Sequence, residues 1–538
     1  MIVQAAVNSA SYLHASLPNG KLAQGVLFTV FGTGMSAEPL THAGSFPLPI
    51  ELTKTSVRVT VAGVTRSCPM IYTSDRQIAA ILPSDIPVGS GTLTVSHNGA
   101  SSQPLPIEVV EHAFGIYTVN QGGSGAGVLV NPISNTLNTL FAAANPGQIM
   151  DIWGTGLGAV NANEAAGPAP GDLASLELRV FVAGQQAQVV YRGRSGCCAG
   201  IDQIRFIVPE GVTGCFVPVH VEVEGVASNY ATMSVSASGS LCGEPGMLTT
   251  GDLQTAQSSG SLRSASLQLR RARNEAASFP YQRSDHASAS FYPFSRNGLL
   301  SSTQRLFFPI HRLPIGSCMI TQGYEIGVFV QQGSGLDPGT LSISGPPGSF
   351  TFPGFSFSGN YQLSFIPGFP NDLEGIIKDG TLLTPGTYTF SASGGPASAP
   401  FPRTPVGPFS ASIVMPLLFE WTNRDSLNVI DRSQPLTLTW TNQVPGAVVQ
   451  IAGFSTFART NNGPLNLGFE CWADAAAGSF TVPPEILASL PPSQELFPDA
   501  ASSLGITLWS FGSAFTAPGL DSGRIATADS ISKPVSFR

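Results

Sequence analysis

The chain has 538 residues, too many for one hydrophobic core, and implies several domains of roughly 100–150 residues. Only 11% of residues are charged, against roughly 25% in typical globular proteins, yet 42% are hydrophobic, which excludes a disordered chain. The net charge is −8 with four lysines (Lys21, Lys54, Lys378 and Lys533) and no basic stripe interleaved with aromatics, so nucleic acid is not an expected partner.

No run of about 18 apolar residues occurs, so no membrane-spanning helix is expected. The opening MIVQAAVNSASYLHASLPNG has neither the basic start nor the apolar segment of an export leader. Abundant glycine (59) and proline (43) among short apolar runs point to all-β domains.

The first half of the chain repeats itself. VLFTVFGTGMS (26–36) returns as QIMDIWGTGLG (148–158), and VRVTVAG (57–63) as LRVFVAG (178–184). RQIAAILPSDIPVGSGTLTVSHNGASS (76–102) returns as DQIRFIVPEGVTGCFVPVHVEVEGVAS (202–228), aligning Gln77, Pro83, Gly99 and Ser102 with Gln203, Pro209, Gly225 and Ser228. Ordered matches of this kind indicate duplication. Val217, Val219, Val221 and Val223 alternate with Pro218, His220, Glu222 and Glu224, the period of a half-buried strand whose second face meets solvent. Strands divided by glycine and proline turns suggest two immunoglobulin-type sandwiches, residues 1–112 and 113–236. The GTG motifs run into loop instead of opening a helix, which excludes a dinucleotide fingerprint. Their glycines are expected to supply positive φ at strand ends.

VNSASY, FGTGM, the VAG and ILP blocks, AANPGQIMDIWGTGLG and GRSGCCAGIDQIRFIVPEGVTGCFVPVHVEVEGVASN together resemble tandem Ig-like modules of the IPT/TIG type. Such modules occur in large secreted proteins of soil acidobacteria such as Solibacter. The resemblance covers about residues 3–242, and a looser one extends through LTPGTYTFSASGG and DRSQPLTLTW. It implies export, to the extracellular space or cell surface, and supplies no activity or catalytic residue. It also implies a leader ahead of the VNSASY strand. Met1 lies almost at that strand, so the start is expected to be misassigned or the chain to be a fragment.

Residues 237–260 shift to Ser, Gly and Thr and read as a linker with one short helix capped by Thr249 or Thr250. A third β-sandwich is expected over 261–415, with strands that include YEIGVFVQQ (324–332), and a fourth over 416–538. The Pro-rich GGPASAPFPRTPVGP (394–408) either separates them or edges a strand within one larger domain. PPEILASL is expected to form a brief helix with proline in its first turn. The arginines of RSASLQLRRAR (Arg263, Arg270, Arg271, Arg273) are expected on a solvated strand, in preference to a polyanion site.

Little in the chain suggests chemistry. The seven histidines form no pair at metal-ligand spacing and are expected to be solvated, so neither metal nor cofactor is expected. Ser124 in QGGSGAG lacks the second glycine and the helix of a nucleophile elbow. No paired carboxylates stand out, and the expectation is of a protein that is not an enzyme.

Trp472 sides with Glu470, while Trp509 and Phe511 share a strand face with Thr507. Burial under a second core layer is the expectation for them, and exposure would make them a platform for sugar rings.

Four of seven cysteines fall between residues 197 and 242. No CxxC pair exists for zinc or redox chemistry. In an exported protein such a cluster reads as two disulfides. Cys197 and Cys198 would point to opposite sides if extended. Each is therefore expected to take a separate partner from Cys215 and Cys242, in an order left open. Cys68, Cys318 and Cys471 are expected as buried thiols, or two of them as a pair across domains. Gln77 follows Tyr72 by five positions in the first copy, and Gln203 follows Tyr191 by twelve in the second. The enlarged loop carries the cysteine pair. The sequence thus describes tandem Ig-like sandwiches followed by further β-sandwiches, with a structural, adhesive or protein-interaction role. The alternative is extracellular polysaccharide binding through the C-terminal aromatics, and the expected partners are polysaccharide or other surface proteins.

Overall fold

The computed structural model describes residues 1–36, 39–275, 283–301, 312–322, 335–353, 359–365, 377–378, 383–396, 404–441, 444–460, 463–494 and 502–538. The strand expected at 324–332 lies outside these residues. The chain forms two compact units, Met1–Thr213 with Val217–Ser240, and Gly214–Phe216 with Leu241–Arg538. Both are built from β-sheets, and the protein is an all-β, multi-sandwich molecule.

The first unit holds the two repeats. In the first repeat, one sheet takes the order Ile2–Asn8, Leu27–Thr33, Gln77–Ile81, Met70–Thr73, Thr41–His42. The other runs Leu22–Ala23, Leu105–Val110, Gly89–His97, Thr55–Val61, Val64–Ser67. Period-two alternation puts Val57, Val59 and Val61 on the core face, with Val57 opposite Val95 and Val59 opposite Leu93. Each valine so buried contributes roughly 1.5–3 kcal/mol relative to exposure. The strand pairs close through two-residue turns in left-handed backbone: Ala62 and Gly63 in one copy, Ala183 and Gly184 in the other. A left-handed pair matches the right-handed twist of a hairpin, and glycine holds it without strain.

The second repeat differs where its loop grew. In the first repeat, Val64–Ser67 and Met70–Thr73 are separate strands in separate sheets. Their counterpart is one strand, Gln185–Arg194, which pairs with Leu178–Val182 at its start and Asp202–Ile207 along its remainder. A register shift between Val189 and Tyr191 bends it from one layer toward the other. His220 departs from the solvated reading. It is 7% exposed and stacks between Phe181 (centroids 4.9 Å apart) and Tyr230 (4.3 Å). At His220 the polar face of that strand is covered by aromatics, which period-two reasoning cannot foresee.

The second unit is organised by a nine-stranded sheet. Its order is Cys318–Gln322, Gly463–Asp474, Val448–Thr460, Ser503–Phe511, Ser522–Pro534, Ser261–Asn274, Arg283–Ser295, Asn360–Phe365, Ile377–Lys378. Strands from both sides of the expected 415/416 boundary belong to it, and Ser261–Asn274 runs parallel to Ser522–Pro534. Leu267, Leu269 and Ile525 of this sheet share a core with Leu341, Phe390 and Ile413 of a four-stranded one.

The arginine strand is not simply solvated. Arg271 is fully buried against Asp529 at 2.7 Å, Arg273 reaches Asp529 and Glu420, and Arg263 pairs with Asp521 at 2.8 Å. The expected short helix is Thr250–Ser259. Thr249 and Asp252 cap it reciprocally, and Gly260 ends it in left-handed backbone. A second brief helix, Pro484–Ala488, starts with proline.

Candidate functional site

The enlarged loop of the second Ig-like module builds a joint to the first. Arg194, 1% exposed, lies at its start. Its Nε donates to Glu164 Oε1 at 2.8 Å and its Nη1 to Asp202. Nη2 donates to the carbonyl oxygens of Gly158 (2.8 Å) and, in the first module, Gly25 (3.0 Å). Glu164 Oε2 accepts from Ser84 Oγ of the first module at 3.1 Å, and Ser84 Oγ accepts from Val160 N–H. Asp202 Oδ2 accepts from Leu157 N–H at 2.7 Å. A buried guanidinium needs this many acceptors, since desolvation otherwise disfavours its charge.

Two carboxylates share the one guanidinium. Burial raises the pKa of Glu164 and of Asp202, and Arg194 only partly opposes it. Burial also works against the Arg194 charge, but Asp202 and Glu164 more than offset it and hold its pKa above the usual value.

The far end of the loop makes the second contact. Gly200 has φ +70°, and a Cβ there would stand 3.0 Å from Ile81 Cγ1 and 3.4 Å from Leu27 Cβ. Gly200 carbonyl oxygen accepts from Thr155 Oγ1 at 2.6 Å, and Thr155 Oγ1 accepts from Leu27 N–H at 2.8 Å. Thr155 is the middle of the second GTG motif. Asn8 Nδ2 adds bonds to the carbonyls of Ala113 and Thr155. Beside the joint lies a groove of about 900 Å³, lined by Ile81, Pro83, Ser84 and Asp85 of the first module and Asn161 and Glu164 of the second.

The cysteines pair differently from expectation. Cys197 bonds Cys198, Cys215 bonds Cys242, and Cys318 bonds Cys471. The expectation assumed an extended backbone at 197–198. The loop is instead a tight turn. Ser195 N–H donates to Ile201 carbonyl at 2.9 Å, and Ser195 Oγ both accepts from Cys198 N–H and donates to its carbonyl. Cys318 and Cys471 stand opposite each other on neighbouring strands. Cys68 is a buried free thiol whose pKa burial pushes far up. The loops closed by Cys215–Cys242 (separation 27) and Cys318–Cys471 (separation 153) correspond to roughly 3.6 and roughly 5 kcal/mol in the chain-entropy model.

The C-terminal aromatics share one face of the nine-stranded sheet, Gln450 standing opposite both Trp472 and Thr507. Trp472 is only 4% exposed, and its indole N–H donates to Glu470 Oε1. Trp509 is half-buried and donates to Gln450 Oε1 at 3.0 Å, and Phe511 is half-buried too. Trp472 is therefore not placed to stack a sugar ring. Ser124 is buried. Among the described residues, no group of three His, Cys, Asp or Glu could hold a metal ion. Sequence reasoning missed Arg194, Glu164, Asp202 and Gly200. The enlarged loop was the available signal.

The architecture is that of a multi-module all-β protein with an Ig-like tandem at its start. No protein-family model and no curated protein matches the chain. Among solved structures, it is similar to SGBP-B from a complex xyloglucan utilization locus in Bacteroides uniformis, at 10% identity over 68% of this chain and 85% of that one, TM-score 0.16. It is also similar to domains 5-6 of the S-layer protein SbsC (13% identity, 44% and 99%, TM-score 0.17). Sidekick-1 immunoglobulin domains 1-4 match at 9% identity over 95% and 100%, TM-score 0.12. Likeness at these scores carries no functional argument.

Proposed function

We propose that the chain is a secreted or cell-surface protein without catalytic activity, whose role is structural, adhesive or protein-interacting, built on an IPT/TIG-like tandem held rigid at its joint. The observation that carries this reading is the Arg194 cluster, which spends a buried charge on fixing one module to the next. The three disulfides support an oxidising compartment. Fractionation of the producing cells with antibody detection tests it. Protein in the medium or the surface-sheared fraction is expected. Cytoplasmic protein with free thiols at Cys215, Cys242, Cys318 and Cys471 would overturn the reading.

A second reading is polysaccharide binding. The observation in its favour is a set of half-buried aromatics in the first unit: Tyr12, Phe31 and Tyr72 in the first module and Trp153 in the second. Electrophoresis through glycan-loaded gels, with Tyr72→Ala as control, tests it. Unretarded migration in every glycan would end this reading.

A further inference from the structure

We propose that the exposed Cys197–Cys198 disulfide is a thiol-exchange site for a dithiol reductant, and that its redox state sets the tightness of the joint between the two Ig-like modules. Three observations converge on it.

The first is its place in the chain. The other two disulfides close long loops, whereas this one joins adjacent residues and closes almost none. A cross-link constrains the unfolded chain in proportion to the logarithm of the loop it closes, so this one adds least to the stability of the fold. Its effect is local.

The second is access. Cys197 and Cys198 are both exposed, while Cys215, Cys242 and Cys471 are buried. Exchange requires in-line approach of a thiolate to a sulfur, so accessible disulfides react first.

The third is what the loop holds. The residues from Ser195 to Ile201 hang between Arg194 and Asp202, which face each other in register on neighbouring strands. Ser195 Oγ braces the backbone of Cys198, and Gly200 lies against Ile81 and Leu27 of the first module. A bond between Cys197 and Cys198 freezes the turn that presents Gly200. Its loss frees that turn and loosens the Gly200–Thr155–Leu27 chain of hydrogen bonds.

The chemistry balances with the dithiol alone. One thiolate of the reductant attacks a sulfur of the pair, the S–S bond breaks, and the other cysteine leaves as a thiolate and takes a proton. The reductant's second thiol then attacks the mixed disulfide. Its own disulfide forms, and the remaining cysteine is released as a thiol. Two electrons and two protons pass to the protein.

The test uses the full chain, with dithiothreitol as the probe. After short pulses, N-ethylmaleimide is expected to label Cys197 and Cys198 about tenfold faster than Cys215, Cys242, Cys318 or Cys471. Hydrogen exchange at the amides of Leu27 and Ser195 is expected to speed up about fivefold once the pair is reduced. A Cys197→Ser/Cys198→Ser variant should show the fast exchange without reductant and unfold at nearly the wild-type denaturant midpoint. Labelling of the other cysteines first or together with the pair overturns the exchange site. Unchanged exchange at Leu27 on reduction overturns its link to the joint. The wild-type labelling decides the first point even if the variant does not fold.

Discussion

Arg194 Nη2 and the carbonyl oxygen of Gly25 meet at 3.0 Å, and through that bond the second Ig-like module holds the backbone of the first. Removing the guanidinium leaves Glu164 and Asp202 buried without a counter-charge. Arg194→Ala is therefore expected to cost roughly 3–5 kcal/mol in denaturant unfolding of the first unit. Arg194→Lys should recover only part, since a single ammonium cannot reach all four acceptors.

Glu164 gives the joint a pH response. Its pKa is raised in the folded state, chiefly by burial. Between the ordinary glutamate value of about 4.3 and the raised one, the folded state binds more protons than the unfolded state. Its contribution to stability therefore grows as pH falls through the raised value into that window. Calorimetry across that range should show this gain, and Glu164→Gln should reduce it to the part that Asp202, raised in the same direction, supplies.

The disulfides should rank by the chain they enclose. Replacing Cys318 and Cys471 by alanine is expected to cost roughly 5 kcal/mol, and replacing Cys215 and Cys242 roughly 3.6 kcal/mol. Urea unfolding of the two double variants checks the order. Cys68 should stay unlabelled by N-ethylmaleimide in native protein, because burial holds its thiol protonated.

Trp472 should behave as a core residue. Trp472→Ala is expected to destabilise the second unit by roughly 3–5 kcal/mol. It should leave any glycan retardation of the remaining folded protein unchanged. A selective loss of glycan binding without loss of stability would restore the platform reading.

What the sequence disclosed was what is local. The Ala62-Gly63 and Ala183-Gly184 turns were readable because two adjacent residues determine them. The cap at Thr249 was readable for the same reason. The enlarged loop was visible as extra length, but its use was not, since Gly25, Gly158 and Glu164 reach Arg194 from distant segments. The pairing of Cys197 with Cys198 was missed by assuming an extended backbone where Ser195 makes a turn. Arg271 looked solvated because nothing near it in sequence announces Asp529.

The parallel register of Ser264 with Ser522 has a temporal meaning. The strand Ser522–Pro534 lies inside the nine-stranded sheet, between Ser503–Phe511 and Ser261–Asn274. During synthesis Ser261–Asn274 emerges first and must wait for nearly the whole unit before its inner neighbour arrives. Pairings this remote in sequence close late, and until they do both edges stay open to other chains. The first unit faces no such delay. A ribosome-stalled chain ending before residue 522 would carry both Ig-like modules complete and the nine-stranded sheet still in two four-stranded parts, each with an unpaired edge where Ser522–Pro534 belongs.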